Sequence, residues 1–155
     1  MKNIHLYSDG GCRGNGKIDA IGGYGYILLD FENKKKKEAK AAYKGTTNNI
    51  MELKGVIEGL KQLKTKCNVK IFTDSQYVVN GFNKGWIDSW QKNDWKTSAK
   101  KPVKNKELWM ELLELTKKHN CEFNWVKGHN DNLWNEHCDR LANIAMNELE
   151  RQERF

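Results

Sequence analysis

Long apolar runs are missing from this 155-residue chain. None approaches the roughly 18 residues that a membrane-spanning helix needs. A mean hydropathy of −0.84 and 30% charged residues also argue against a membrane protein. Proline occurs once, at Pro102, inside a basic stretch where it is expected to mark a loop. The four cysteines (Cys12, Cys67, Cys121 and Cys138) show no C-x-x-C spacing. That argues against a zinc site and a disulfide framework, and it fits a reducing cytoplasm. The N-terminus enters a strand-like pattern at once, without a charged-then-apolar leader, so no secretion signal is expected. Repeats and linkers are lacking as well.

What remains is the composition of a folded, basic domain. Hydrophobic residues make up 38% of the chain and tryptophan occurs six times, which excludes disorder. This length predicts one domain with a real core, over residues 1–150, followed by a short tail at 151–155. Acidic residues are too few to balance the basic ones, 20 against 27, and the pI near 9.2 favours a polyanionic partner. The imbalance concentrates in "WIDSWQKNDWKTSAKKPVKNK", Trp86 to Lys106. Six lysines (Lys92, Lys96, Lys100, Lys101, Lys104, Lys106) stand there against two aspartates, interleaved with Trp86, Trp90 and Trp95.

"NIHLYSD" alternates and then meets "GGCRGNGK", which reads as a strand ending in a glycine-rich loop. "GGYGYILLDF" and "KKEAKAAYKG" predict two more strands with a turn near Glu32 and Asn33. The lysines at 34–37 read as a solvated edge. From "TTNNIMELKGVIEGLKQL" the period becomes helical through Leu53, Val56, Ile57, Leu60 and Leu63, with Thr47 or Asn48 as N-cap. "NVKIFTDS" predicts a buried strand, "QYVVNGF" a short helix, "NKELWMELLELTKKH" a longer one and "CEFNWV" another strand. The last helix, "WNEHCDRLANIAMNELERQ", has a stripe of Cys138, Leu141, Ala142, Ala145 and Leu149. Three strands followed by alternating helices and strands predict an α/β fold with a mixed sheet.

Four carboxylates stand out. Asp9 and Asp74 each end a predicted strand, at the sheet edge where ligands of open α/β folds bind. Glu52 and Asp139 lie at the borders of helical apolar stripes. Spacing does not say that these four meet. A resemblance does. "YSDGGCRGNG", "TTNNIMEL", "FTDSQYVVNG", "GWIDSW…WKTSAKKPVKNKELW", "VKGHN" and "NEHCDRLAN" follow the order and spacing of type 1 ribonuclease H, and the chain resembles that family over residues 3–147.

The resemblance implies a ribonuclease H-like fold: five strands, the first three antiparallel and the rest parallel, flanked by helices, with a basic handle at about 84–106. It implies an endonuclease that hydrolyses the RNA strand of RNA–DNA hybrids, leaving 5′-phosphate and 3′-hydroxyl ends. Asp9, Glu52, Asp74 and Asp139 become a metal-binding quartet, and His129 a histidine near the scissile bond. Converging carboxylates need cations to coexist, and hard oxygen ligands suit two Mg²⁺ ions, with Mn²⁺ as a substitute. The RNA strand is expected at Cys12, Asn15, Asn48, Asn49 and Gln76. The DNA strand is expected at Tyr77, Trp86 and Ser98, with a phosphate pocket at Thr47 and Asn105. One departure is that the family's arginine two residues before the pocket threonine is Gly45 here, beside Lys44. A monomer, cytoplasmic and standing alone rather than as part of a reverse transcriptase, is expected. The alternatives are a non-catalytic hybrid-binding domain of the same fold and another metal-dependent nuclease of the superfamily.

On one continuous helix, Trp86 and Trp90 would share a face and Trp95 would lie about 180° away. The resemblance puts Trp86 at the DNA strand, so Trp86 is expected to touch nucleic acid, and Trp90 and Trp95 to pack the handle together.

Overall fold

The computed structural model describes residues 1–127 and 132–154. Alternating side chains form an antiparallel meander of β1 (Lys2–Arg13), β2 (Ile21–Asp30) and β3 (Lys35–Lys44). Helix α1 (Asn48–Lys61) crosses to β4 (Cys67–Thr73), which runs parallel to β1. Helices α2 (Gln76–Asn83), α3 (Trp86–Lys92) and α4 (Lys106–Lys117) precede β5 (Asn120–Trp125), which lies parallel to β4. Helix α5 (Leu133–Glu153) closes the chain. The sheet order is β3-β2-β1-β4-β5, the five-stranded mixed sheet that the sequence implied. It leaves the lysine-rich β3 on an edge.

The pleat of β1 decides which side chain meets which helix. Ile4 and Leu6 are buried with Val56, Ile57 and Leu60 of α1, each burial contributing about 1.5–3 kcal/mol. Tyr7 turns the other way, to Ile27, Leu29 and Cys138 of α5. The buried Cys138 thiol donates to the Tyr7 carbonyl at 3.4 Å, fixing α5 against β1. By the same alternation Asp9 shares the α5 face of the strand and Gly10 faces α1. On that α1 side Trp109 of α4 is fully buried and closes the core. Among the described residues no helix is long and apolar enough to cross a membrane.

The structure corrects three expectations. Strand β1 does not end at Asp9: its pairing with β4 stops at Tyr7↔Phe72, but its pairing with β2 continues to Arg13↔Ile21. Asp9 thus sits where one neighbour leaves and the other stays. Helix α5 continues to Glu153, so most of the expected tail is its last turn. And α3 ends at Lys92, with Asp94 and Trp95 left-handed at φ 55°. Trp95 is therefore not carried to the far side of a helix but folds back on Trp90, ring centroids 6.1 Å apart.

Candidate active site

Each carboxylate arrives on a different element. Asp9 lies on β1, Glu52 in the second turn of α1, Asp74 just past β4, and Asp139 on α5. Thr47 caps α1: its hydroxyl accepts from the Ile50 amide at 3.2 Å and so sets the helix phase that turns Glu52 inward. Close approach of α1 to β1 needs a residue without a side chain, because a Cβ on Gly10 would stand 2.7 Å from the Glu52 nitrogen. Asp74 follows the fully buried Thr73, whose hydroxyl accepts from the Ser75 amide at 3.1 Å.

Carboxylate oxygens of Asp9, Glu52 and Asp74 lie within 4.8 Å of one another. Asp139 stands on α5, outside that group of three but near enough for its charge to act on Asp9. A relay holds it: Arg13 donates to the Asn143 side chain at 2.9 Å, and Asn143 donates to the Asp139 carbonyl at 2.9 Å. Burial, then the charges of Asp74 and Asp139, push the Asp9 carboxyl up to about 9. Glu52 is raised well above the usual range by burial, then by Asp9 and Asp74, with the Gly10 amide working the other way. Among the described residues Glu52 Oε1 is buried without a hydrogen-bond partner, a costly state for a carboxylate. An all-oxygen donor set of mutually repelling acids, one with an orphaned oxygen, fits a divalent cation.

A hollow of about 230 Å³ is lined by Asn15, Gly16, Thr47, Asn48, Asn49 and Lys104. It joins three of the residues expected at the RNA strand to the phosphate-pocket threonine and a handle lysine. Asn15 accepts from the Asn48 amide at 3.0 Å, tying the glycine-rich loop to the start of α1. Cys12 is half-buried, its thiol 3.5 Å from the Thr46 carbonyl, and Gln76 is exposed at the start of α2. The Tyr77 hydroxyl accepts from Asn105 at 3.1 Å and from Trp109 Nε1 at 2.9 Å. Trp86 meets Tyr77 edge-on at 6.2 Å. Ser98 stands apart, in the exposed turn that the Lys96–Pro102 bridge closes. Trp86, Trp90 and Trp95 form one continuous run of rings, anchored where Trp90 meets Trp109 at 5.4 Å. Handle lysines Lys92, Lys96, Lys100, Lys101 and Lys104 are exposed around it, and Lys106 is half-buried.

Gly45 has φ 64°, a left-handed backbone that an arginine would adopt only under strain. Lys44 beside it pairs with Glu153 of α5. His129 lies outside the described residues. Sequence reasoning missed the Arg13–Asn143 relay, the place of Gly10 under Glu52, and Trp125, whose indole nitrogen is 3.1 Å from the Asp74 carbonyl. Tryptophan in the strand beside a "TD" strand end was a weak signal for the last.

The sequence profile described as RNase H matches residues 1–147. A ribonuclease H of Clostridium botulinum is 54% identical over 149 residues, covering 96% of this chain and 99% of the relative. Among solved structures, LC9-RNase H1, described as a type 1 RNase H with the type 2 active-site motif, superposes with a TM-score of 0.84. It is 29% identical and the match covers 96% of this chain and 74% of that one. LC11-RNase H1, solved in complex with an RNA/DNA hybrid, shares the fold at 22% identity and a TM-score of 0.69, covering 94% and 98%. With its sheet, its acidic group and a family match over nearly its whole length, the chain belongs to the RNase H family.

Proposed function

We propose that this ribonuclease hydrolyses the RNA strand of RNA–DNA hybrids as a Mg²⁺-dependent endonuclease, leaving 5′-phosphate and 3′-hydroxyl ends. The observation that carries this is the convergence of Asp9, Glu52 and Asp74, oxygens within 4.8 Å, at the edge of the sheet. The family depends on divalent metal. Two Mg²⁺ ions held by the four acids would supply water activation and charge stabilisation at the leaving 3′ oxygen.

The chain's own residues do the rest. Asp9, central among the acids, would hold the metal together with Glu52 and Asp74, and Asp139 would join them from α5. Burial keeps Asp9 and Glu52 from rotating freely and sharpens their field, because bulk water is excluded around them. His129 moves a proton near the leaving group, a task that suits imidazole at neutral pH.

Strand choice follows from what flanks the acids. Cys12, Asn15, Asn48, Asn49 and Gln76 face the RNA strand, where amides can both donate to and accept from a 2′-hydroxyl. Tyr77, Trp86 and Ser98 receive the DNA strand. Thr47 and Asn105 hold a phosphate, and the handle lysines add a salt-sensitive grip on the backbone. With Gly45 in place of arginine, Lys104, beside Thr47 in the same hollow, is placed to share that phosphate. LC11-RNase H1, with the same fold, was solved on an RNA/DNA hybrid. The protein acts as a cytoplasmic monomer; its four cysteines are free thiols, which suits a reducing compartment.

The test is a substrate panel with Mg²⁺: RNA–DNA hybrid, double-stranded DNA and double-stranded RNA. Preferential loss of the hybrid's RNA strand supports the reading. Absence of any metal-dependent cleavage would sink it.

A further inference from the structure

The role of Asp74 raises a mechanical question: what holds its main chain still? Both neighbours are fastened. The Thr73 carbonyl accepts from the Val126 amide at 2.9 Å, and the Ser75 hydroxyl caps α2 by accepting from Val78 at 3.2 Å. Asp74 itself follows the last residue of β4 and is only half-buried. Among the described residues its carbonyl accepts one side-chain hydrogen bond, from the indole Nε1 of Trp125 at 3.1 Å. Trp125 ends β5, in register with Thr73 on the neighbouring strand, so its side chain has only to lean one residue along to reach Asp74.

The cost of that arrangement is visible. Trp125 keeps 45% of its surface exposed, next to Val126 and Lys127 at the exit of β5. Trp109, by contrast, is fully buried. A tryptophan left half in water gives up much of the burial energy its ring could contribute. The ring is therefore poorly explained as core, whereas its donor sits on the backbone of a metal-site carboxylate.

We propose that Trp125 is a positioning residue for the metal site, acting through the Asp74 backbone. The indole N–H pins the Asp74 carbonyl, which limits rotation of the peptide plane and holds the carboxylate toward Asp9 and Glu52. Asp74 is thus held in place from β5, a strand that carries none of the four site acids. The inference rests on the proposed metal role of Asp74.

Three measurements on Trp125→Phe, which keeps an aromatic ring and removes the N–H, test it. Mg²⁺ binding is measured by calorimetry without substrate. The Trp125 indole N–H signal, identified in NMR spectra as the one that the variant lacks, is followed as Mg²⁺ is added to wild-type protein. Finally kcat and KM are separated. Losing one hydrogen bond's worth of ordering is expected to weaken Mg²⁺ binding and lower kcat at fixed Mg²⁺, each by roughly 2- to 10-fold, with KM for the hybrid unchanged. The indole signal is expected to move with the same midpoint as the calorimetric binding. Trp125→Ala repeats the test in a variant that also loses the ring, and its Mg²⁺ binding is expected to be at least as weak. Unchanged Mg²⁺ affinity with a lowered Tm would make Trp125 merely structural and overturn the proposal. A raised KM with unaltered Mg²⁺ binding would make it a substrate contact and overturn it equally. Wild-type protein that binds no Mg²⁺ at all would overturn the metal reading first and this inference with it.

Discussion

The acidic centre and the basic handle are built by opposite means. The centre brings like charges together inside the fold, on four elements fixed by a helix cap, a glycine contact and two carbonyl anchors. The handle keeps its lysines almost entirely in solvent and places its rings inward, where Trp90 docks on Trp109. One region spends fold stability on geometry, and the other takes charge at little cost to the fold. Substitutions in the centre should therefore change turnover and stability together, and in the handle they should change binding alone.

The sharpest way to break that contrast is Asp74→Asn. Turnover should fall by about 10³-fold or more, the rate equivalent of the several kcal/mol a metal supplies. Hybrid binding measured without cleavage should stay largely intact, and an equal loss of binding would make Asp74 structural. His129→Ala should slow turnover by roughly 10²-fold or less, since proton transfer assists chemistry that the acids and cations carry. A single-turnover rate equal to wild type would remove His129 from the mechanism.

Stability gives the next test. The folded Asp9 holds its proton to about pH 9, against an ordinary aspartate value near ~3.9. Between those limits the folded state binds more protons than the unfolded one, so metal-free stability is greatest at the acid end and is lost as pH rises. Thermal unfolding without metal should show that slope, Asp9→Asn should flatten it, and Mg²⁺ should restore the Tm at the alkaline end. A metal-free Tm that rises across the window would mean that the acids are not in conflict. Gly10→Ala, which drives a methyl into the α1 backbone, should cost about 1–3 kcal/mol, read as a lower midpoint in urea.

The smallest effect belongs to the handle. Neutralising Lys100, Lys101 and Lys104 should leave Tm nearly unchanged and weaken hybrid binding. The salt dependence should flatten by about 0.7–0.9 in log–log slope for each phosphate that is no longer gripped. An unaltered slope would mean that these lysines do not meet the substrate.

The two regions also differ in how readily the sequence discloses them. Helical period located α1 and put Glu52 at a stripe border, and strand pattern put Asp74 at the end of β4. Both follow from local repetition. That Asp9 continues into strand rather than loop did not follow, because its pairing with β2 is a contact between segments. Burial of Glu52 was likewise hidden: it depends on Gly10, 42 positions away, having no side chain. The four acids were read together only through the family's motifs, since no single-segment pattern says that β1, α1, β4 and α5 converge. In the handle, helical period was a conditional guide only. Trp95 follows a left-handed break, and a 100° helical step does not apply across it.

Cleavage of a hybrid with each strand separately labelled, with Mg²⁺ or with a chelator, is the most direct test of metal-dependent, strand-selective hydrolysis. The RNA label alone should be cut, only with Mg²⁺, and not by Asp74→Asn. Cutting of the DNA strand, or RNA cleavage that persists in the chelator, would contradict the proposed activity.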